Sequence, residues 1–297
     1  MRVARAAVAT HAGRKRRHNE DAFVCEPPLF AIADGMGGAR AGEVASGLAA
    51  AALQQNDVNG SGPERVVALM QAANRSVYER SSSDADVAGM GTTMTVALVE
   101  DGGVVFGHVG DSRAYVLRDG ELEQLTDDHS LVAELVRGGK LSAEEAEHHP
   151  QRSVITRALG TDPDVDVDTF TVEGQDGDVF VLCSDGLTDM IGDDEIGEVL
   201  VAQRASLEDA ANELVRHANR AGGQDNITVV AFELTDAPPE PDERTLEQTI
   251  EQTQTLSEPP AKPEPTSRSG WRRFLPLLLL LLGIVAAAAI LWVLVQR

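Results

Sequence analysis

The chain has 297 residues, a net charge of −23 and 42 % hydrophobic residues. That length and apolar content allow a sizeable core and exclude a wholly disordered chain, while the excess of acid argues against a nucleic-acid backbone as partner, because no basic surplus exists to release counterions. Two cysteines, Cys25 and Cys183, exclude a disulfide scaffold and an all-cysteine zinc site.

In chain order, β-rich runs are predicted at Val3–Ala9, Leu29–Ala33, Thr92–Val99, Val104–Val109, Ala114–Arg118, Val165–Val172, Val179–Cys183 and Ile227–Leu234. Helical stretches are predicted at Gly42–Gln55, Pro63–Ser81, Ser130–Arg137 and Leu207–Arg220. Ser142 with Glu145, and Ser206 with Asp209, have the spacing of helix N-caps. The glycine turns at Asp101-Gly102-Gly103 and Asp119-Gly120 join strands into hairpins. Hairpin-linked strands with helices inserted between their groups make an α+β fold with antiparallel sheets, not a regular βαβ series. One folded domain is assigned to 1–235. Residues 236–270 are rich in Pro, Glu and Thr, hold few apolar residues, and read as a disordered linker. From Phe274 to Val295 no charge occurs, and at about 1.5 Å per residue this run reaches across a bilayer core. Residues 271–297 therefore read as a C-terminal transmembrane anchor. Arg268, Arg272 and Arg273 before the run, against Arg297 after it, orient the N-terminal domain to the cytoplasm, as a single-pass protein of the cytoplasmic membrane.

The chemistry lies in where the acids fall. LFAIAD ends at Asp34, VVFGHVGD at Asp111 and VFVLCSD at Asp185, while Asp225 precedes NITVVAFEL. A carboxylate beside an apolar strand is costly if buried unpaired. Four of them on one sheet edge are compatible with hard divalent ions such as Mg²⁺ or Mn²⁺. The competing reading, that Asp-Gly is a turn dipeptide, fits Asp101 and Asp119. It fits Asp34 and Asp185 less well, because there the dipeptide ends a nearly all-apolar strand and leads into a helix-like stretch. No His/Cys cluster has zinc spacing, and Gly35–Gly38 lacks the Gly-Lys-Ser/Thr ending of a P-loop.

In order, the sequence carries Gly13-x-x-Arg16-x-x-Asn19-Glu20-Asp21, Asp34-Gly35-Met36-Gly37-Gly38, Gly91-Thr92-Thr93, Gly110-Asp111-Ser112-Arg113, Ser184-Asp185-Gly186 and Asp225-Asn226. This series resembles the metal-dependent Ser/Thr protein phosphatases (PPM, or type 2C), in particular the bacterial members, over roughly 1–235. The resemblance implies a four-layer αββα sandwich of two mainly antiparallel sheets flanked by helices. It implies hydrolysis of phosphoserine and phosphothreonine by direct attack of water activated by two Mn²⁺ or Mg²⁺ ions, with a third ion in some members. By the same resemblance Asp34 bridges the two ions, the Gly35 carbonyl ligates one, and Asp185 and Asp225 complete the other. Glu20 acts through water, with Asp21 beside it, and Arg16 clamps the phosphate. Asp111 with Asp185 serves a third ion, and Ser153 matches a position used near an additional metal. Arg14, Lys15 and Arg17 read as an exposed basic cluster. Met36 stands where eukaryotic relatives have a proton-donating histidine. Water on the metal is then the first candidate donor, and His11, His18, His108 and His129 are further candidates. Residues 129–160 are expected to form a flap over the site. The implied partners are phosphorylated proteins and a Hanks-type Ser/Thr kinase. Two other functions compete: a catalytically silent phosphoprotein-binding module, which requires a lost metal ligand, and a phosphatase for small phosphate esters.

Overall fold

The computed structural model describes residues 1–37, 41–55 and 60–238. Those up to Ala237 belong to one compact unit, Met1–Ala237. The expected linker lies almost wholly, and the expected membrane span at 274–295 wholly, outside the described residues. Among those residues, no helix is long and apolar enough to cross a membrane.

Strands β1 (Arg2–His11), β2 (Asp21–Glu26) and β3 (Leu29–Met36) precede helices α1 (Ala41–Gln55) and α2 (Gly62–Ser83). The short β4 (Gly91–Thr92) leads to β5 (Met94–Glu100), β6 (Gly103–Val109), β7 (Arg113–Arg118) and β8 (Glu121–Gln124). Helices α3 (Leu131–Arg137) and α4 (Ala143–Glu147) lie before β9 (Asp168–Glu173) and β10 (Val179–Cys183). Then come α5 (Asp185–Thr188), α6 (Asp193–Ala202), α7 (Leu207–Ala221) and β11 (Ile227–Thr235). One sheet has the order β1-β11-β10-β7-β8; the other runs β2-β3-β5-β6-β9, with β4 added to β3. Every strand pairing among the described residues is antiparallel.

Three apolar cores stack these elements. Ala45, Ala49 and Leu53 of α1 and Met70 and Val77 of α2 bury against Ala31, Ala33, Val96 and Val105 of the second sheet. Leu200 of α6 and Leu214 and Ala218 of α7 bury against Val181, Val229 and Ala231 of the first. Between the sheets lie Phe30, Ile32, Phe106, Phe180, Leu182, Val230 and Phe232. Phe30 stacks on Phe232 at 4.1 Å between centroids, tying one sheet to the other. The layers therefore run helices, sheet, sheet, helices.

Period-two alternation sorts each strand between two cores. Phe30 and Ile32 face the other sheet, whereas Ala31 and Ala33 face α1 and α2. The inter-sheet face stays apolar along most of the sandwich and turns polar at one end. Two residues on from Ile32 is Asp34, from Leu182 Ser184, from Phe106 His108, and from Val230, running backwards, Thr228. That end is where chemistry can occur.

The two N-caps expected from spacing are present: Ser142 and Glu145 make a full capping box, and the Ser206 hydroxyl accepts from Asp209 N. Several boundaries differ from expectation. Thr92–Val99 is interrupted at Thr93, because Thr92 pairs with Gly35 and Leu159 while Met94 begins the pairing with β6. β3 does not stop at Ala33 but runs through Asp34-Gly35 to Met36, held by β4. β9 begins at Asp168 rather than Val165, which instead packs in the helix-side core. Helix α6 was not expected: its DDE opening and Gly197 dilute the apolar period, and only burial of Ile196, Val199 and Leu200 defines its inner face.

Candidate active site

The expected acids gather at the polar end, but not along one sheet edge. Asp34 belongs to the second sheet and Asp111 follows its strand β6. Asp185 and Asp225 adjoin β10 and β11 of the first. They meet across the sandwich because their strands place them, or the residues beside them, at the end of the inter-sheet face. A single sheet edge could not have brought these strands together, since β3 and β11 lie in different sheets.

Asp34 is fixed through its backbone: its N donates to Thr93 Oγ1 at 2.9 Å, and its carbonyl accepts from Thr92 Oγ1 at 2.8 Å and Thr93 N at 2.9 Å. Thr93 Oγ1 in turn meets Ser112 Oγ at 2.8 Å, linking the Asp34 strand to the Asp111 turn. Asp21 stands directly opposite Asp34 in the β2–β3 register. Its Oδ2 accepts from Thr228 Oγ1 of β11 at 2.6 Å and from Ser184 Oγ, the residue after β10, at 2.9 Å. Asp185 opens α5 directly after β10, and Gly186 behind it has no room for a side chain, because a Cβ there would overlap the Asn226 carbonyl. The Asn226 side chain donates to Ala12 O at 3.2 Å and His18 O at 2.9 Å, and accepts from Glu20 N at 2.7 Å. One amide thus holds the whole β1–β2 loop against the residue that follows Asp225.

The cluster is electrostatically loaded. Burial first, then the neighbouring Asp21, Asp185, Asp111 and Asp225, push the Asp34 carboxyl well above the usual range. Burial, then Asp111, Asp189, Asp225 and Asp21, do the same to Asp185. Asp21 and Asp111 are each pushed up to about 6, chiefly by burial. Glu20 is raised by burial as well. Each of Asp21, Asp34 and Asp185 keeps some surface open to solvent, so the cluster forms the floor of a cleft rather than a sealed cavity.

This arrangement fits divalent cations. Asp21 Oδ1 and Asp185 Oδ1 are buried without a hydrogen-bond partner among the described residues, which leaves acceptor lone pairs unsatisfied among neighbouring carboxylates. A Cβ on Gly42, in the first turn of α1, would fall 2.6 Å from Gly35 O and 2.8 Å from Glu20 Oε2; with no side chain there, both oxygens keep open space in front of them. Hard oxygens alone make up this donor set, as Mg²⁺ and Mn²⁺ require. Among the described residues no three His, Cys, Asp or Glu side chains form a ready-made cage. A backbone carbonyl such as that of Gly35 would lie outside any such count of side chains, and Asp225 Oδ2 is drawn onto Arg16 Nη2 at 2.6 Å.

Other expected residues fall as follows. Arg16 stands half exposed at the rim and, through the bond to Asp225, holds its guanidinium over the acids. Ser153 is exposed on a turn of the flap and makes no side-chain hydrogen bond among the described residues. Cys183 is buried with its thiol pushed up to about 12, which excludes a thiolate nucleophile there. Two histidine candidates for proton donation are committed elsewhere. His108 is buried, bonded to Thr95 Oγ1 and the Asp127 carbonyl, and lowered to about 4 by burial and by His129. His129 Nδ1 accepts from Gly110 N at 3.0 Å, so its Nε2 carries the proton and donates to Asp168 Oδ2 at 3.0 Å. Together with the Ser130–Ile155 bridge and the Thr156 N bond to His129 O, this closes the base of the flap formed by α3 and α4.

Sequence reasoning gave Asp21 no role of its own and missed Gly42, Asn226 as loop anchor, and His129 as flap clamp. Asp21 was legible in principle, as an acid two residues before Phe23 and four before Cys25 on one face of β2. The other three act through contacts between segments far apart in sequence.

Residues 10–228 match the family model described as protein phosphatase 2C. The serine/threonine phosphatase stp of Listeria monocytogenes is 43 % identical over 236 residues, covering 75 % of this chain and 93 % of that one. The serine/threonine protein phosphatase PstP of Mycobacterium tuberculosis is 42 % identical over 237 residues, covering 79 % of this chain and 46 % of that one. The crystal structure of the M. tuberculosis phosphatase PstP/Ppp superposes with a TM-score of 0.74 at 40 % identity, covering 79 % of this chain and all of that one. The catalytic domain of PstP in complex with two manganese ions does so with a TM-score of 0.73 at 38 % identity, over 80 % of this chain and 100 % of that one. On the site, the fold and these likenesses together, the chain belongs to the protein phosphatase 2C family.

Proposed function

We propose that this chain hydrolyses phosphoserine and phosphothreonine in proteins, by direct attack of water, using two Mn²⁺ or Mg²⁺ ions. The observation that carries this is the meeting of Asp34, Asp185, Asp21 and Asp111 on one cleft floor, with buried, unpartnered carboxylate oxygens and Arg16 at the rim. Asp34 and the Gly35 carbonyl would hold one ion, and Asp34, Asp185 and Asp225 the other. Glu20 would act through water, Asp111 would serve a third ion, and a part for Ser153 near an additional ion rests on the resemblance alone. When bound, the ions neutralise the phosphate dianion and activate the attacking water.

The chain's own residues do the rest. Arg16 offers a planar fork to the non-bridging phosphate oxygens and stabilises the charge that develops on them. Its bond to Asp225 orients it before substrate arrives, so little rotamer freedom remains to be lost. Thr92 and Thr93 hold the Asp34 backbone rigid from both sides. The His108 and His129 rings are each bonded at both nitrogens to other groups, and Met36 has no proton to give. With His108 and His129 held elsewhere, water in the open cleft is the first candidate donor to the leaving serine or threonine oxygen, and His11 and His18 are the remaining imidazoles.

The substrates are phosphorylated proteins, and a Hanks-type kinase that makes them is the natural opposing partner. The uncharged run 274–295 supports a membrane anchor with 1–270 on the cytoplasmic side, where tethering raises the effective concentration of membrane-bound substrates. The test is turnover of a phosphothreonine peptide by the full-length chain with Mn²⁺ or EDTA, beside Asp34→Asn and Asp185→Asn. Metal-dependent turnover lost in both variants is expected. A folded wild type that binds Mn²⁺ yet turns over no phosphopeptide would refute the proposal and favour a silent phosphoprotein-binding module. Turnover of small aryl phosphates alone would favour the small-ester enzyme.

A further inference from the structure

The phosphate clamp sits inside an uninterrupted run of cations, Arg14-Lys15-Arg16-Arg17, in a chain whose net charge is −23. Arg16 alone of the four is paired with an acid among the described residues. Arg14, Lys15 and Arg17, with His18 beside them, are exposed.

Their placement is fixed by the structure. Arg14 N donates to Gly223 O at 2.7 Å. Gly13, at φ +74°, lies so close to the Asp225 carbonyl that a Cβ would overlap it. Asn226 holds both ends of the loop through Ala12 O and His18 O, and Asn19 Nδ2 donates to Thr10 Oγ1 at 2.7 Å. The loop is therefore pinned to the backbone of the segment that carries Asp225, and the free cations border the place where a phosphate meets Arg16. Arg14 and Arg17 lie within two residues of Arg16 along a turn, so at most roughly 7 Å of chain separates their Cα atoms from its own. An extended peptide with its phosphoresidue on Arg16 advances about 3.3 Å per residue, so its first two or three neighbours on either side pass this rim.

Resting on the phosphatase reading above, we propose that Arg14, Lys15 and Arg17 form a specificity subsite selecting protein segments in which Asp or Glu flanks the phosphorylated residue. Exposed charges attract without being desolvated, so the subsite acts on substrate binding and weakens with salt. It leaves the chemical step untouched, which places its effect in KM rather than kcat.

The test compares phosphothreonine peptides of equal length whose neighbours are Asp, Ala or Lys, with the full-length chain and Mn²⁺. Wild type is run beside R14S/K15S/R17S and the charge-conserving R14K/K15R/R17K. Three exposed pairs together are worth roughly tenfold in kcat/KM between the Asp- and Lys-flanked peptides. That preference is expected in KM, is expected to shrink from 50 to 500 mM salt, to collapse in the serine variant and to persist in the charge-conserving one. An unchanged preference in a folded serine variant, or equal kcat/KM on all three peptides with wild type, would overturn the subsite while leaving the phosphatase standing. No turnover on any peptide would overturn the phosphatase. Fluorescence anisotropy of labelled Asp- and Lys-flanked peptides then still decides the subsite, which predicts tighter binding of the former. Loss of binding to phosphatidylglycerol vesicles in the serine variant, with peptide selectivity intact, would assign the cations to lipid and reject the proposal.

Discussion

Replacing Asp34 by Asn should make the metal-free protein more stable while abolishing turnover. Burial first, then the charges of Asp225 and Glu20, raise Asp21 from 3.8 to about 6, and at 1.36 kcal/mol per pKa unit ionising a carboxylate there costs about 3 kcal/mol. Asp34, directly opposite Asp21, is raised well above 3.8 by burial and by Asp21, Asp185, Asp111 and Asp225. Water at the open face of the cleft screens part of this, so a gain of about 2–3 kcal/mol is expected for the neutral isostere at pH 7. For a domain of this size that corresponds to a rise of about 4–12 °C in Tm. The sign with pH follows from linkage. A carboxyl whose folded pKa exceeds its unfolded value binds more protons in the native state between the two, so stability falls as pH rises through that window. The advantage of Asp34→Asn over wild type should therefore be greatest at pH 7 and vanish near pH 4. Thermal melts of both proteins in EDTA at pH 4.5, 5.5 and 7 measure it. Saturating Mn²⁺ should reverse the order, because only wild type gains binding energy in the folded state. An Asp34→Asn variant no more stable than wild type in EDTA at pH 7, or a gap independent of pH, would refute the account of the cluster as charge held ready for metal.

Three further outcomes are expected. Arg16→Lys keeps the charge but loses the fork, and should lower kcat/KM on a phosphopeptide about 10–100-fold, the worth of a charge-assisted hydrogen bond, with little change in Tm. Gly186→Ala forces a Cβ into the Asn226 carbonyl between Asp185 and Asp225; it should cost at least about 2 kcal/mol in urea unfolding and weaken Mn²⁺ binding by calorimetry. His129→Ala leaves the buried Gly110 N–H without its acceptor; a loss of about 1–3 kcal/mol is expected, together with faster proteolysis between residues 130 and 157.

The strands that build the sandwich were legible because they are apolar and bounded by glycine turns, and seven of the eight predicted runs overlap a single observed strand. The eighth, Thr92–Val99, is divided because Thr93 bonds the Asp34 backbone rather than continuing the ladder. α6 escaped because its identity as a helix rests on burial against β8 and α7, which no window of sequence contains. The acids of the site were legible one by one, through their positions at strand ends and through the ordered motifs. Asp21 was undervalued because its importance comes from Ser184 and Thr228, more than 160 residues away in sequence.

What the sequence by itself determined is most of the strands, β2 and β8 having no predicted run, together with the face of each that must be apolar and the residues at which that face turns to Asp, Ser or Thr. Period-two alternation and the cost of burying charge are local rules, and they act on each strand separately. Only the tertiary structure decided that two sheets stack with their polar ends together, so that Asp21 and Asp34 of one face Asp185 and Asp225 of the other, and that Asn226 draws the cationic loop over them. An alternating strand specifies that one side is buried, not which other strand it is buried against; that choice belongs to the packing of Phe30 on Phe232 and of the residues around them.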